Sequence, residues 1–137
     1  MYAQPNLQLK AGGNIPPSHI VKLSTAADNT VLVSAAATSV NIGVAQGGTR
    51  RAPGTGDDDG YAAIAGENVA VFGPGSGQAL VDLGGTVTRG DAVTSDGNGR
   101  GVSTTTDGDI IIGWAMQSGV SRDLVTVLIN PGYLYIA

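Results

Sequence analysis

The sequence predicts a mainly β protein: a small β-barrel or β-sandwich-like body of short strands, with an extended N-terminal arm and little helix. Three observations lead there. Apolar residues come in brief runs rich in Val, Ile and Thr, the side chains that suit a pleated, half-buried surface. The runs are separated by Gly, Asp, Asn, Ser or Pro, which turn a chain sharply. No stretch repeats apolar residues at helical spacing for long enough to demand a helix.

The elements follow in order. Met1 to Ser18 holds Pro5, Gly12, Gly13, Pro16 and Pro17 around one short alternation, "NLQLK", and is expected to be an extended arm outside the body. The globular domain is then expected to run from His19 to Ala137. Its strands are read in "HIVKLS", "NTVLVS", "VNIGVAQ", "ENVAVFG", "QALVDL", "DAVTS", "GVSTT", "IIIGWAM" and "LVTVLIN". "STAAD", "AAATS" and "YAAIAGE" have room for a turn or two of helix each. The run Ile110, Ile111, Ile112 suits a central strand buried on both faces. In "LVTVLIN", Val125, Val127 and Ile129 share one face, while Leu124, Thr126, Leu128 and Asn130 give the other a mixed character suited to contact.

Between Gly85 and Gly101 short extended pieces alternate with Arg89-Gly90-Asp91 and Asp96-Gly97-Asn98-Gly99-Arg100, which have the chemistry of tight turns. A calcium loop needs five or more converging oxygens, and Asp96 and Asn98 are followed by no acid at EF-hand spacing. There is also an internal echo. "NIGVAQGG" and "IIGWAMQSG" share Ile-Gly-X-Ala, and each precedes a Val-X-Val strand that ends near Pro-Gly. The first copy alone carries the excursion "TRRAPGTGDDDGY", Thr49 to Tyr61, expected to be a surface loop.

Composition narrows function. A chain of 137 residues suits one domain with a core of its own. With 7 basic against 11 acidic residues and a net charge of -4, phosphate neutralisation is a poor basis for binding, so nucleic acid is not an expected partner. No cysteine is present, which removes disulfides and thiolate chemistry. No apolar run reaches the length of a membrane span and no leader pattern opens the chain, so the expectation is a soluble, non-secreted protein without a membrane partner.

Candidate chemistry is sparse. His19, the sole histidine, has no acid or nucleophile at a recognisable catalytic spacing and is read as a strand-edge or interface residue. Asp57, Asp58 and Asp59 are read as solvated rather than metal-binding. Gly73-Pro74-Gly75-Ser76-Gly77 lacks the Lys-Ser/Thr of a phosphate loop. Trp114, the sole tryptophan, is expected to anchor the core, with sugar stacking as the rival. No enzyme, metal or cofactor is expected.

"GGTVTRGDAVTSDGNGRGVSTT", "DIIIGWAMQSG" and "DLVTVLINPG" together resemble the head-decoration, or cement, proteins of tailed bacteriophages. The resemblance lies in a Gly-Asp-X-Val-X-Ser-Asp turn-strand-turn, an Ile-Gly-X-Ala strand and a Val-X-Val strand closing at Pro-Gly, over Gly84 to Gly132. It implies a compact β body bound to the outer face of an assembled capsid in the virion, put together in the host cytoplasm. The implied partners are the major capsid protein and further copies of the chain as a homotrimer, and the implied role is mechanical, without cofactor. In such proteins an N-terminal segment contacts the shell; here Leu7, Leu9 and Ile15 would fill alternate pockets as the arm adds to a sheet edge, with Pro16 and Pro17 beside them. Tyr133 and Tyr135, in the uncharged "GYLYIA", are read as capsid or subunit contacts, against ordinary packing at the chain end. A β-rich carbohydrate-binding or adhesion module on a particle surface is the alternative.

Overall fold

The computed structural model describes residues 7–45 and 61–135. Among these residues there is no helix: "STAAD" and "AAATS" form bends and turns, and "YAAIAGE" makes a β-bridge at Ala63 and a turn at Ala65-Gly66. Ten strands form: β1 (Leu7–Ala11), β2 (Ile20–Leu23), β3 (Thr30–Val33), β4 (Asn41–Ala45), β5 (Asn68–Phe72), β6 (Gln78–Asp82), β7 (Ala92–Ser95), β8 (Gly101–Thr104), β9 (Ile110–Ala115) and β10 (Leu124–Tyr133). The first five close into a barrel in the order β1-β3-β2-β4-β5, and the last five form a sheet in the order β6-β10-β9-β7-β8. All nine strands read from the body sequence are present, and β9 is central as its isoleucines required.

The two sheets are two copies of one design. Adding five to each strand number of the barrel reproduces the neighbour order of the sheet. The registers agree residue by residue: Leu7↔Val71 and Leu9↔Val69 in the first half answer to Ala79↔Val127 and Val81↔Val125 in the second. Ile20↔Val44 and Val21↔Gly43 answer likewise to Ala92↔Trp114 and Val93↔Gly113. The bridge Ile15↔Ala63 has its twin in Val87↔Gly119. Among the side chains identical between halves are core residues, Val21 and Val93, Ile42 and Ile112, Val69 and Val125, Val71 and Val127, and small ones that hold geometry, Gly12 and Gly84, Gly43 and Gly113, Ala45 and Ala115.

Ile-Gly-X-Ala owes its recurrence to a close approach. A Cβ on Gly43 would lie 2.1 Å from the Phe72 carbonyl oxygen, and one on Gly113 1.7 Å from that of Leu128, so only glycine lets each strand pass. The crossing also breaks the alternation. Ile42 and Ala45 both pack on the first core, as Ile112 and Ala115 both pack in the second, and the residue before the alanine is thrown outward. Backbone conformation repeats too. Ser18, Asn29 and Arg122 have φ of 62°, 51° and 74°, and their counterparts Gly90, Gly99 and Gly66 have 91°, 77° and 89°. The left-handed geometry belongs to the design, and three times a non-glycine residue tolerates it.

One seam differs. In the barrel β1 and β3 run parallel and Lys10 N–H donates to the Asn29 carbonyl. The matching pair would be Asp82 N–H and the Gly99 carbonyl, but between β6 and β8 only the bridge Leu83↔Gly101 survives. Asp82 N–H instead donates to Ser18 O at 2.9 Å, and Ile20 N–H donates to Gly99 O at 2.7 Å. The first half thus inserts Ser18 to Ile20 into the open seam of the second and satisfies both stranded backbone groups. Asn41, also buried, adds a second link by donating to the Ile110 carbonyl at 3.1 Å.

The expected division at Ser18/His19 is corrected by this arrangement. Leu7 to Ala11 is a barrel strand, paired with both β3 and β5, and Ile15 is wholly buried in the first core. The alternation in "NLQLK" suffices because barrel closure satisfies a strand on both edges. Residues 1–6 lie outside the described residues.

Candidate functional site

Between the halves lies a cleft of 540 Å³, walled by Pro16, Pro17, Ser18 and His19 on one side and by Asp82, Arg100, Arg122 and Leu124 on the other. The turn after Gly12-Gly13 carries the first wall, and β6 with the loops preceding β8 and β10 carries the second. Asp82 is nearly buried, with Arg122 Nε 3.3 Å from Oδ1 and Arg100 Nε 3.6 Å from Oδ2. The Arg100 Nε is itself buried with no hydrogen-bond partner and faces Asp82 by charge alone. His19 Nδ1 stands 3.0 Å from the Pro17 carbonyl, which can only accept, so Nδ1 carries the proton and the ring is fixed by its own loop.

The charges sit where the seam is open. The counterparts of Asp82, Arg100 and Arg122 in the closed barrel are Lys10, Thr30 and Gly66, which form no such cluster. Ionic contact here takes over from missing strand pairing. The arrangement braces the joint, and the hydrogen bond of His19 among the described residues is to the Pro17 carbonyl. Among the described residues no three His, Cys, Asp or Glu side chains converge as a metal site. No helix among them is long and apolar enough to cross a membrane.

The turns carry the hydrogen bonds that their sequences imply. Thr88 N–H donates to Asp91 Oδ2 across Arg89-Gly90, and Asn98 and Arg100 N–H groups both donate to Asp96 Oδ1, at 2.8 and 3.0 Å. Asp57 to Asp59, with most of the excursion that contains them, fall outside the described residues.

The predicted contact residues are scattered. Ile15 is not available to a partner, and Leu9 packs partly against the same core, so the reading of an arm filling pockets in a shell with Leu9 and Ile15 is corrected: they fill their own barrel. Leu7 remains 38% exposed at the barrel rim. Pro16 and Pro17 line the cleft. Tyr133 and Tyr135 are exposed by 76% and 82%, so neither packs in the core of a single chain.

Trp114 is the other correction. It was expected in the core, yet it stands 38% exposed on the outer face, because Gly113 breaks the alternation and turns the next side chain out. Leu128 is exposed beside it, and Leu80, Leu124 and Met116 are exposed further off, on β6, on β10 and just after β9. The mixed face of "LVTVLIN" hinted at this surface. Its other contributors come from distant segments, and so does the Asp82 cluster, which no local spacing announces.

No family model matches the chain, and neither does any curated protein. Among solved structures, the crystal structure of the head fiber gp8.5 N base in bacteriophage phi29 is similar in fold, with a TM-score of 0.62 at 19% identity over 96% of this chain and 98% of that one.

Proposed function

We propose that this chain is a structural protein of a phage head, bound to the outer surface of the capsid and stabilising the expanded shell as a homotrimer. The observation that carries the reading is the end-to-end likeness in fold to the base of a phage head fiber. Two features of the chain support it. The cleft between the halves is braced by the polar groups in it, which hold the seam. Exposed apolar and aromatic side chains, by contrast, are plentiful on the outer surface, and contact with a large partner uses such groups.

In this reading the major capsid protein is the partner, and Tyr133, Tyr135 and Leu7 are exposed to meet it, with Pro16 and Pro17 at the mouth of the cleft. The work is mechanical: buried area across neighbouring capsomers opposes the outward pressure of packaged DNA, with no catalysis or cofactor. The carbohydrate alternative has less support, because the cross-strand neighbours of Trp114 are Leu128 and Ala92, whose side chains offer a sugar no hydrogen bond.

The test is addition of purified protein to expanded heads that lack it. Saturable co-sedimentation and a rise in the temperature of head rupture are expected. Heads that neither bind the protein nor gain resistance to heat would dismiss the proposal.

A further inference from the structure

The joint between the halves holds more positive charge than a brace requires. Asp82 is the one acid among the residues that wall the cleft, and both Arg100 and Arg122 face it. A single guanidinium would neutralise that carboxylate, so the walls keep at least one positive charge over in a chain whose net charge is -4. The acids closest in sequence do not take it up. Asp96 Oδ1 accepts from the Asn98 and Arg100 backbone N–H groups and Asp123 Oδ2 from Val120 N–H, each within its own turn. Among the described residues neither acid is ion-paired with an arginine.

Donors are in surplus as well. A guanidinium has five N–H bonds to donate. Among the described residues the Arg122 side chain uses one, from Nε to Asp82 Oδ1 at 3.3 Å, and the Arg100 side chain uses none, its buried Nε lying 3.6 Å from Oδ2. Arg122 is two-thirds exposed, so a ligand can reach it. The cleft's 540 Å³ falls within the roughly 300–1,000 Å³ of ligand sites, more than a lone ion fills. Its remaining walls include apolar ones, Pro16 and Pro17 on one side and the exposed Leu124 on the other. Planar donors beside apolar flanks suit a peptide: a carboxylate matches the guanidinium fork, and the residue next to it packs on proline and leucine.

We propose that the cleft receives an acidic side chain, Asp or Glu, from an extended segment of a protein partner, its carboxylate held by Arg100 and Arg122 and its apolar neighbour laid against Pro16, Pro17 and Leu124. The inference deepens the reading above and rests on it for the identity of the partner: the segment belongs to the capsid protein. Because each half supplies one wall, the bound segment also ties the halves together.

The test is an NMR titration of the isolated full chain with two blocked peptides, acetyl-Glu-Leu amide and acetyl-Gln-Leu amide, at fixed ionic strength. The Glu peptide should give saturable amide shifts confined to the cleft, at Ser18, His19, Arg100 and Arg122. The Gln peptide should bind about tenfold or more weakly, as expected for loss of charge-assisted hydrogen bonds. Arg122→Gln should weaken the Glu peptide by a similar factor, and Lys10→Gln, at the twin position of Asp82, should leave it unchanged, with thermal melts confirming that both variants fold. No saturable shifts, equal binding of the two peptides, or wild-type affinity in Arg122→Gln would overturn the inference. So would inorganic phosphate binding more tightly than the Glu peptide, which would assign the site to a free ion. Head binding separates this inference from the reading it rests on. Heads that take up the wild-type protein and folded Arg122→Gln equally would overturn the inference and leave the proposed function standing. A chain that binds the Glu peptide at the cleft but binds no heads would support the site and dismiss the capsid protein as its partner.

Discussion

The two halves share one strand order and one register, yet the first is a closed barrel and the second a sheet held by a single bridge at the matching seam. The difference shows how a duplicated design becomes one body. The open seam leaves an amide and a carbonyl without partners, and the first half supplies both through Ser18 and Ile20. An unmatched hydrogen-bonding pair in one copy thus becomes the attachment point for the other. The Asp82, Arg100 and Arg122 cluster then surrounds that joint, where the closed barrel needs no charge.

The sharpest way to break the comparison is at the glycines that both halves share. Gly43→Ala and Gly113→Ala each drive a Cβ into a carbonyl of the neighbouring strand, and each should cost about 3 kcal/mol or more in urea unfolding. The loss at Gly113 should be the larger, since it adds a φ of 153° that an L side chain rarely adopts, whereas Gly43 has no positive φ. Next, Ile15→Ala should lower stability by about 2–5 kcal/mol, as expected for emptying a core site. A loss below 1 kcal/mol by the same measurement would restore the reading of residues 7–15 as a separate arm.

Effects at the joint should be smaller. Asn41→Leu removes the donor to Ile110 O and leaves Ser34 without its side-chain acceptor, for about 1–3 kcal/mol, read as the shift in thermal midpoint converted to free energy. Asp82→Asn should destabilise by about 1–2 kcal/mol, discounted because Arg122 is two-thirds exposed, while Lys10→Gln at the matching barrel position should change almost nothing. Amide exchange checks the cause: loss of protection confined to Ile20 and Asp82 would place the effect at the seam. The smallest change is expected from Ser18→Gly, which installs the residue found at the twin position Gly90 and should stabilise by a few tenths of a kcal/mol up to about 1. Destabilisation of that variant, seen by calorimetry, would mean that the Ser18 side chain contributes more to the joint than its backbone strain removes.

Ile-Gly-X-Ala was visible in the sequence as an echo, and the structure explains why it recurs. The duplication around it was hard to read, because what repeats is backbone. Ser18 stands where Gly90 does, and Arg122 where Gly66 does, so matching φ is hidden behind unlike side chains. Trp114 was misplaced for a related reason. Alternation puts it beside Ile112, and only the close approach at Gly113 reverses it. Tyr133, Tyr135 and Leu7 are exposed, whereas Ile15 and Leu9 needed the barrel's closure to show that their partners were internal.

By itself the sequence determined that the described body is β, where nine of the ten strands among the described residues lie and where their turns fall. These follow from local chemistry: branched side chains favour extended backbone, and glycine and aspartate relieve it. Tertiary structure alone decided that Leu7 to Ala11 closes a barrel, that Trp114 stands on the outer face, and that Asp82 meets two arginines. Those outcomes depend on which edges come within hydrogen-bonding distance of one another, a property of the whole assembled sheet that no short window of residues contains.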